Sequence, residues 1–166
     1  MYDIKLFRLD FRLIHGQVIA KWFGQIRGNE IVIVDDDLSK DSFMASIYEM
    51  SAPVDSKVHV YSVEDAVKKV EDGTFASGKV LVLFKSVDQV YKAVQNGFKV
   101  DELQIGGLGS APGRINVYGP ITLDNHDASL LKRISDQGTN VYLQQVPEEA
   151  KMSFSKVLEK FNFNLN

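Results

Sequence analysis

Ile31-Val32-Ile33-Val34-Asp35-Asp36-Asp37 is the stretch from which the rest of the chain is read. Four β-branched residues follow one another with no polar alternation, so both faces of this strand must be covered. A strand buried on both faces belongs to a parallel sheet flanked by helices. The abrupt change to three aspartates marks the carboxyl end of the strand, where such sheets usually meet ligands.

Working outward, a second fully apolar run, Val80-Leu81-Val82-Leu83-Phe84, ends on Lys85. Shorter strands are predicted at Ile4 to Leu9, Lys57 to Tyr61, Glu102 to Ile105, Ile115 to Tyr118 and Asn140 to Gln144. Helices are predicted between them. Val18, Ile19, Trp22, Phe23 and Ile26 share one face of a segment closed by Gly28. Ser39 is placed to cap a helix that carries Phe43, Met44, Ile47 and Tyr48 inward and stops before Pro53. Ser62 and Ser86 open helices ending near Gly73 and Gly97. Asp124 to Gln137 and a C-terminal segment with Phe154, Val157, Leu158 and Phe161 complete the set. This alternation predicts an α/β fold, an open and mostly parallel sheet with helices on both faces, built as a single domain over residues 1–166.

Composition narrows the functional classes. With 45% hydrophobic and 25% charged residues, the net charge of -3 argues against a general nucleic-acid or membrane-surface binder, so any electropositive site must be local. Cysteine is absent, which removes disulfides, thiolate metal sites and cysteine nucleophiles. His15, His59 and His126 lie far apart without metal-ligand spacing, and no metal or cofactor is expected. No secretory signal or bilayer-length apolar run is present, which points to the cytoplasm.

The chemistry is concentrated at Arg8-Leu9-Asp10-Phe11-Arg12-Leu13-Ile14-His15-Gly16-Gln17-Val18, across a predicted strand-to-helix turn. Neutral imidazole is a nucleophile near pH 7 because its ordinary pKa of about 6.5 leaves a lone pair free. Arginine holds phosphoryl oxygens through a rigid fork, and a carboxylate on the other ring nitrogen fixes the tautomer. His15 is therefore the candidate phosphoryl acceptor, Arg12 the first choice for oxygen binding, Asp10 the orienting group and Arg8 a further phosphate ligand. Gly16 and Gln17 begin a helix whose unpaired N–H groups suit an anion.

Two other readings stand beside this one. Asp35 to Asp37 with Lys85 describe a receiver-like signalling domain, phosphorylated on aspartate with Mg²⁺, or a solvated turn and helix cap. His15 as a buried structural residue of a non-catalytic binding module would predict no phosphorylated form. The loop Gly106-Gly107-Leu108-Gly109-Ser110-Ala111-Pro112-Gly113-Arg114 lacks both the dinucleotide fingerprint and a nucleotide P-loop. A mobile docking loop is its expected role.

From Arg8 through Val18 the sequence resembles the mannose/fructose/sorbose family of phosphotransferase-system (PTS) enzyme IIB subunits. The resemblance continues at Lys21-Trp22, Ile31 to Asp36, Ala52-Pro53, Leu83-Phe84-Lys85, Gln104-Ile105-Gly106 and Pro112-Gly113-Arg114. It implies that His15 receives a phosphoryl group on its δ nitrogen from enzyme IIA. It also implies transfer onward to sugar entering through the membrane subunits IIC and IID, with peripheral association at the membrane. Mannose, fructose, sorbose and amino sugars stay open, as does a homo-oligomer. Asp35, Asp36, Lys85, Gly106 and Gly107 are expected in a partner-docking face around an exposed His15. The chain begins directly with the motif, so no fused IIA domain is expected.

Overall fold

A computed structural model describes residues 1–166. In chain order the elements are β1 (Asp3–Asp10), a π-helix (Val18–Phe23), β2 (Glu30–Val34), α1 (Asp36–Lys40), α2 (Ser42–Met50), β3 (Lys57–Tyr61), α3 (Val63–Asp72), β4 (Lys79–Phe84) and α4 (Val87–Gln95). They continue with β5 (Glu102–Gly107), β6 (Ile115–Tyr118), β7 (Ile121–Leu123), α5 (Asn125–Asp136), β8 (Asn140–Leu143), β9 (Met152–Ser153) and α6 (Phe154–Lys160). The main sheet has the order β3-β2-β4-β1-β5-β8-β9, parallel except for β9. A separate hairpin, β6-β7, was not foreseen as a pair.

Side-chain alternation along the central strands divides the core into two layers. Val32, Val34, Val80, Val82 and Phe84 pack with α3, α4, α5 and α6, whereas Ile31, Ile33, Leu81 and Leu83 pack with Val18 and Phe23 of the π-helix and Leu38 of α1. Burying each of these side chains stabilises the fold by about 1.5–3 kcal/mol. The layers also explain the winding. The connections from β1 to β2 and from β2 to β3 run one way along the sheet, with the π-helix and α1–α2 on one face. Those from β3 to β4, β4 to β5 and β5 to β8 run the other way, with α3, α4 and α5 opposite. Direction therefore reverses between neighbours β1 and β5, and a crevice opens at their carboxyl ends.

Helix starts follow the expected capping chemistry at Ser62 and Ser86, and Asp124 caps α5 in the same way, each accepting from the backbone N–H three residues on. Three expectations need correction. The Ser39 cap is replaced by Asp35, which caps α1, and Asp41, which caps α2. Phe43, Met44 and Ile47 do not point inward: Phe43 is 71% exposed, and α2 rests on the sheet through Ala45 and Tyr48. Gly28 does not supply the left-handed residue after the first helix, since Arg27 does, at φ 53°. Glycine is required at 28 because a Cβ there would lie 2.6 Å from the Phe23 ring.

Candidate functional site

Alternation on β1 sends Leu9 into the larger core layer and turns Arg8 and Asp10 toward the π-helix face. Past the strand end, Phe11 N–H donates to Gly107 O at 3.0 Å and Leu13 N–H to Asp10 O at 3.0 Å. This turn places Leu13 at φ 57°, a conformation that costs a leucine about 1 kcal/mol or more. Full burial of Leu13 in the smaller core layer holds it there. The chain thereby doubles back and sets His15 over the carboxylate it passed five residues earlier.

Asp10 is the hub. Its Oδ1 accepts from Arg12 N–H at 3.1 Å and Arg12 Nε at 3.0 Å. Its Oδ2 accepts from Arg12 Nη2 at 3.1 Å, Arg8 Nη2 at 3.2 Å and His15 Nε2 at 3.1 Å. Burial pushes the Asp10 carboxyl up, but hydrogen bonds from Arg12, the Arg8 charge and the His15 contact outweigh it and hold the group below its ordinary range. An ionised carboxylate only accepts, so the proton between the pair belongs to His15 Nε2. Nδ1 then carries the lone pair, and no protein atom hydrogen-bonds it.

Arg12 keeps 34% of its side chain exposed, while its Nη1 meets no protein acceptor and its Cζ lies 5.8 Å from the Phe11 ring centroid. The His15 side chain is 17% exposed, less open than the expected flat surface but not enclosed. Gly16 is exposed beside it, with open space where a Cβ would stand. Gln17 is half-buried, with a buried Oε1 that has no partner. Ile19 N–H donates to His15 O at 3.1 Å, so His15 sits directly against the first turn leading into the π-helix.

Arg8 departs from its expected role as a phosphate ligand. It is fully buried, donating to Gln104 Oε1, Gln144 O at 3.3 Å, Gln145 O at 3.1 Å and Asp10, with its Cζ 5.5 Å from the Trp22 ring centroid. Its guanidinium neutralises Asp10 from below and ties β1 to the end of β8. Trp22 Nε1 donates to the same Gln145 carbonyl at 2.9 Å, fastening the π-helix to that segment. Sequence reasoning missed Gln104, Gln144 and Gln145. The signal lay in Gly106-Gly107, whose lack of side chains makes room for a neighbour's large ones.

Those glycines are not a docking surface, since both are buried. A Cβ on Gly106 would lie 1.9 Å from Arg8 Cζ, and one on Gly107 would lie 3.0 Å from Arg12 Nη2 and from Asp10 Oδ1. The loop that follows is pinned as well. Arg114 donates to Thr122 Oγ1, Thr122 O, Asp124 and Asp127, binding the loop to β7 and the start of α5.

Of the acidic triplet, Asp35 is buried and accepts from Leu38 N–H at 2.9 Å. Burial raises its carboxyl above the ordinary range. Asp36 accepts from Val63 N–H at 2.9 Å and from Lys92, joining α1 to α3 and α4. Both are helix-cap and tie residues rather than open docking contacts, and the receiver-like reading is not favoured. Asp37 and Lys85 are exposed. His59 bonds Glu30 at 3.2 Å and His126 bonds Asp88 at 2.7 Å, both away from this site.

Residues 4–166 match the family model described as PTS system sorbose subfamily IIB component. The sorbose-specific EIIB component of Klebsiella pneumoniae is 30% identical over 96% of each chain. The mannose-specific EIIAB component of Escherichia coli K12 is 25% identical over 96% of this chain and 49% of its own, so the chain spans about half the length of that relative. Among solved structures, manxB from Thermoanaerobacter tengcongensis superposes with a TM-score of 0.87 at 35% identity, covering 97% of this chain and 98% of that one. The IIBSor domain of the sorbose permease from Klebsiella pneumoniae gives 0.88 at 28% identity, covering 97% and 99%.

Proposed function

Because the chain belongs to the sorbose subfamily of PTS IIB components, whose work is phosphotransfer in sugar uptake, we propose that the phosphoryl group passes through His15 Nδ1. The observation that carries this reading is the 3.1 Å contact between His15 Nε2 and the ionised Asp10, which leaves Nδ1 as the free nucleophile.

In the first step the Nδ1 lone pair attacks the phosphorus carried by a phosphohistidine of enzyme IIA. The new N–P bond forms as the donor's N–P bond breaks, and the donor imidazole keeps that electron pair. Positive charge that develops on the His15 ring is met by Asp10, already held in place by two arginines. Arg12 turns its free Nη1 to the phosphoryl oxygens, and the amides of Gly16 and Gln17 approach from the helical turn. In the second step a sugar hydroxyl attacks phosphorus, the His15 N–P bond breaks and its electron pair returns to Nδ1. The hydroxyl proton leaves to solvent or to a base on the acceptor side.

Residues 1–166 act in this reading as one IIB-type domain without a metal or nucleotide of their own. Enzyme IIA is the donor, and the membrane subunits IIC and IID present the sugar. No helix of the chain is long and apolar enough to cross a membrane, in keeping with a carrier that associates with them peripherally.

Incubating the protein with the upstream phosphocarriers and a phosphoryl donor, then mapping the modified residue, tests the assignment. A single acid-labile, base-stable phosphate on His15 is expected. Modification at Asp35, Asp36 or Asp37, or none at all, would overturn it.

A further inference from the structure

A fully buried arginine is ordinarily matched by carboxylates of its own, and Arg8 is not. The single carboxylate it reaches is Asp10, which also serves Arg12 and His15. Its other acceptors are neutral: the Gln104 amide oxygen and the backbone carbonyls of Gln144 and Gln145. Its Nε is buried with no partner. Arg8 and Arg12 thus bring two positive charges against the one negative charge of Asp10, which leaves the cluster at +1 while His15 is neutral. Burial, reinforced by the Arg12 charge, outweighs the attraction of Asp10 and lowers the Arg8 guanidinium from its ordinary value, the sign expected of a cation short of counter-charge. It stays protonated at neutral pH all the same.

Gln104 occupies the place where that counter-charge would be expected. It lies directly across from Arg8 in the register of β1 and β5, so the two side chains leave the sheet on the same face. Leu103 and Ile105 on either side turn into the larger core layer. Gln104 is itself fully buried, accepts from Arg8 Nη1 through Oε1 and donates to Gln144 Oε1 at 3.5 Å. A glutamate has the same length and would accept from Arg8 more strongly. The other ionisable groups packed here do not take that part. Burial raises the Tyr142 hydroxyl and keeps it neutral, and the Glu149 carboxylate accepts from the Gln145 amide at 3.2 Å. What an amide does here that a carboxylate would not is hold the guanidinium without competing for its charge.

We propose that Gln104 is a positioning residue whose neutrality reserves Arg8 for Asp10 and so leaves the charge of Arg12 free for the incoming phosphoryl group. This rests on the phosphocarrier reading above and adds to it the residue that sets the net charge of the site. With Arg8 committed to Asp10, the dianion arriving at His15 meets a site that is positive in advance. A carboxylate at position 104 would draw on Arg8, throw Asp10 onto Arg12 and bring the cluster to zero.

The test compares Gln104→Glu, which adds a charge at nearly constant shape, with Gln104→Met, which removes the acceptor without adding charge. The full chain carrying each is followed by urea unfolding, by the exchange equilibrium with phospho-IIA, and by NMR titration of the His15 ring without any phosphoryl donor. Gln104→Glu is expected to fold with stability equal to or above the parent's, to shift the exchange equilibrium about tenfold toward the donor, and to move the His15 titration to higher pH. Gln104→Met is expected to lose stability, with the titration unmoved and the equilibrium within about threefold of the parent. A glutamate variant that is less stable than the parent, or does not fold, would mean that the cluster has no surplus positive charge. Unchanged exchange and titration would reduce Gln104 to packing and hydrogen bonding, and equal changes in both variants would assign the effect to shape. Each of these results overturns the proposal. Because the titration needs no phosphoryl donor, a parent that is never phosphorylated would refute the phosphocarrier reading while the His15 titration still decides the role of Gln104.

Discussion

His15 and Asp10 meet through a 3.1 Å contact between Nε2 and Oδ2, and four further donors from Arg8 and Arg12 hold the same carboxylate. The pair works as one unit because the carboxylate is ionised, buried and unable to turn away. Replacing Asp10 with Asn leaves one acceptor oxygen for donors that now use two, and it strands buried Arg8 without its counter-charge. Asp10→Asn should slow phosphorylation by about 10²-fold or more and destabilise the fold by about 3–5 kcal/mol. Rapid-quench phosphorylation and urea unfolding read the two effects separately, and a variant with normal rate and stability would remove Asp10 from its central position.

His15 itself should be separable from the fold. It is one of five contacts to Asp10, and the other four persist without it. His15→Ala is expected to abolish phosphoryl transfer while changing stability by about 1 kcal/mol at most. A reconstituted system that still phosphorylates sugar through this variant would exclude His15 as the carrier.

Acid should weaken the Asp10 site only once the pH falls below the ordinary carboxylate range. Asp10's folded-state value lies below the ordinary 3.8, so the stability it contributes is complete above that value and is lost as pH falls through the lower, folded one. Asp35 has the opposite sign: its raised value means that the folded state favours its protonated form, so acid relieves rather than weakens that position. Denaturant titrations from pH 5 downward should therefore show the parent losing more stability below pH 3.8 than Asp10→Asn does. Parallel curves for the two proteins would contradict this.

The strands were legible because they announce themselves locally. Ile31 to Val34 and Val80 to Phe84 have no polar face, and only burial in a parallel sheet suits them. The site was legible in part, since Asp10, Arg12 and His15 lie within six residues and one turn brings them together. Arg8 was misread because its partners, Gln104 on β5 and the Gln144 and Gln145 carbonyls just after β8, lie far along the chain and carry no local signature. Phe43 and Ile47 were misread for the converse reason. Helical spacing identifies a shared face but does not say whether the fold or another protein covers it.

Glycines next to the site offer a contrast in space rather than in chemistry. At Gly106 a Cβ would lie 1.9 Å from the Arg8 guanidinium carbon, whereas at Gly16 it would meet nothing within 4 Å. Gly106→Ala must displace a buried arginine together with its contacts to Asp10, Gln144 and Gln145. It should destabilise by about 1–3 kcal/mol and slow transfer without touching His15. Gly16→Ala should melt within a few degrees of the parent. Equal melting temperatures for the two variants would show that Arg8 is not held as described.

Arg12 is the remaining cation at the mouth of the site, and its two tasks are separable by the choice of replacement. Nε and Nη2 hold Asp10, while Nη1 is free and the side chain is partly exposed. Arg12→Ala removes both tasks, and phosphoryl transfer should fall by about 10²–10³-fold with the fold largely retained, because Arg8 still neutralises Asp10. Arg12→Lys restores charge but not the fork, since a lysine cannot span both carboxylate oxygens and still offer a directed donor to phosphate. Recovery should therefore be partial, and larger in stability than in rate. A lysine variant that matches the parent in rate would mean that Arg12 contributes charge alone, and an alanine variant that does so would remove it from the transfer step.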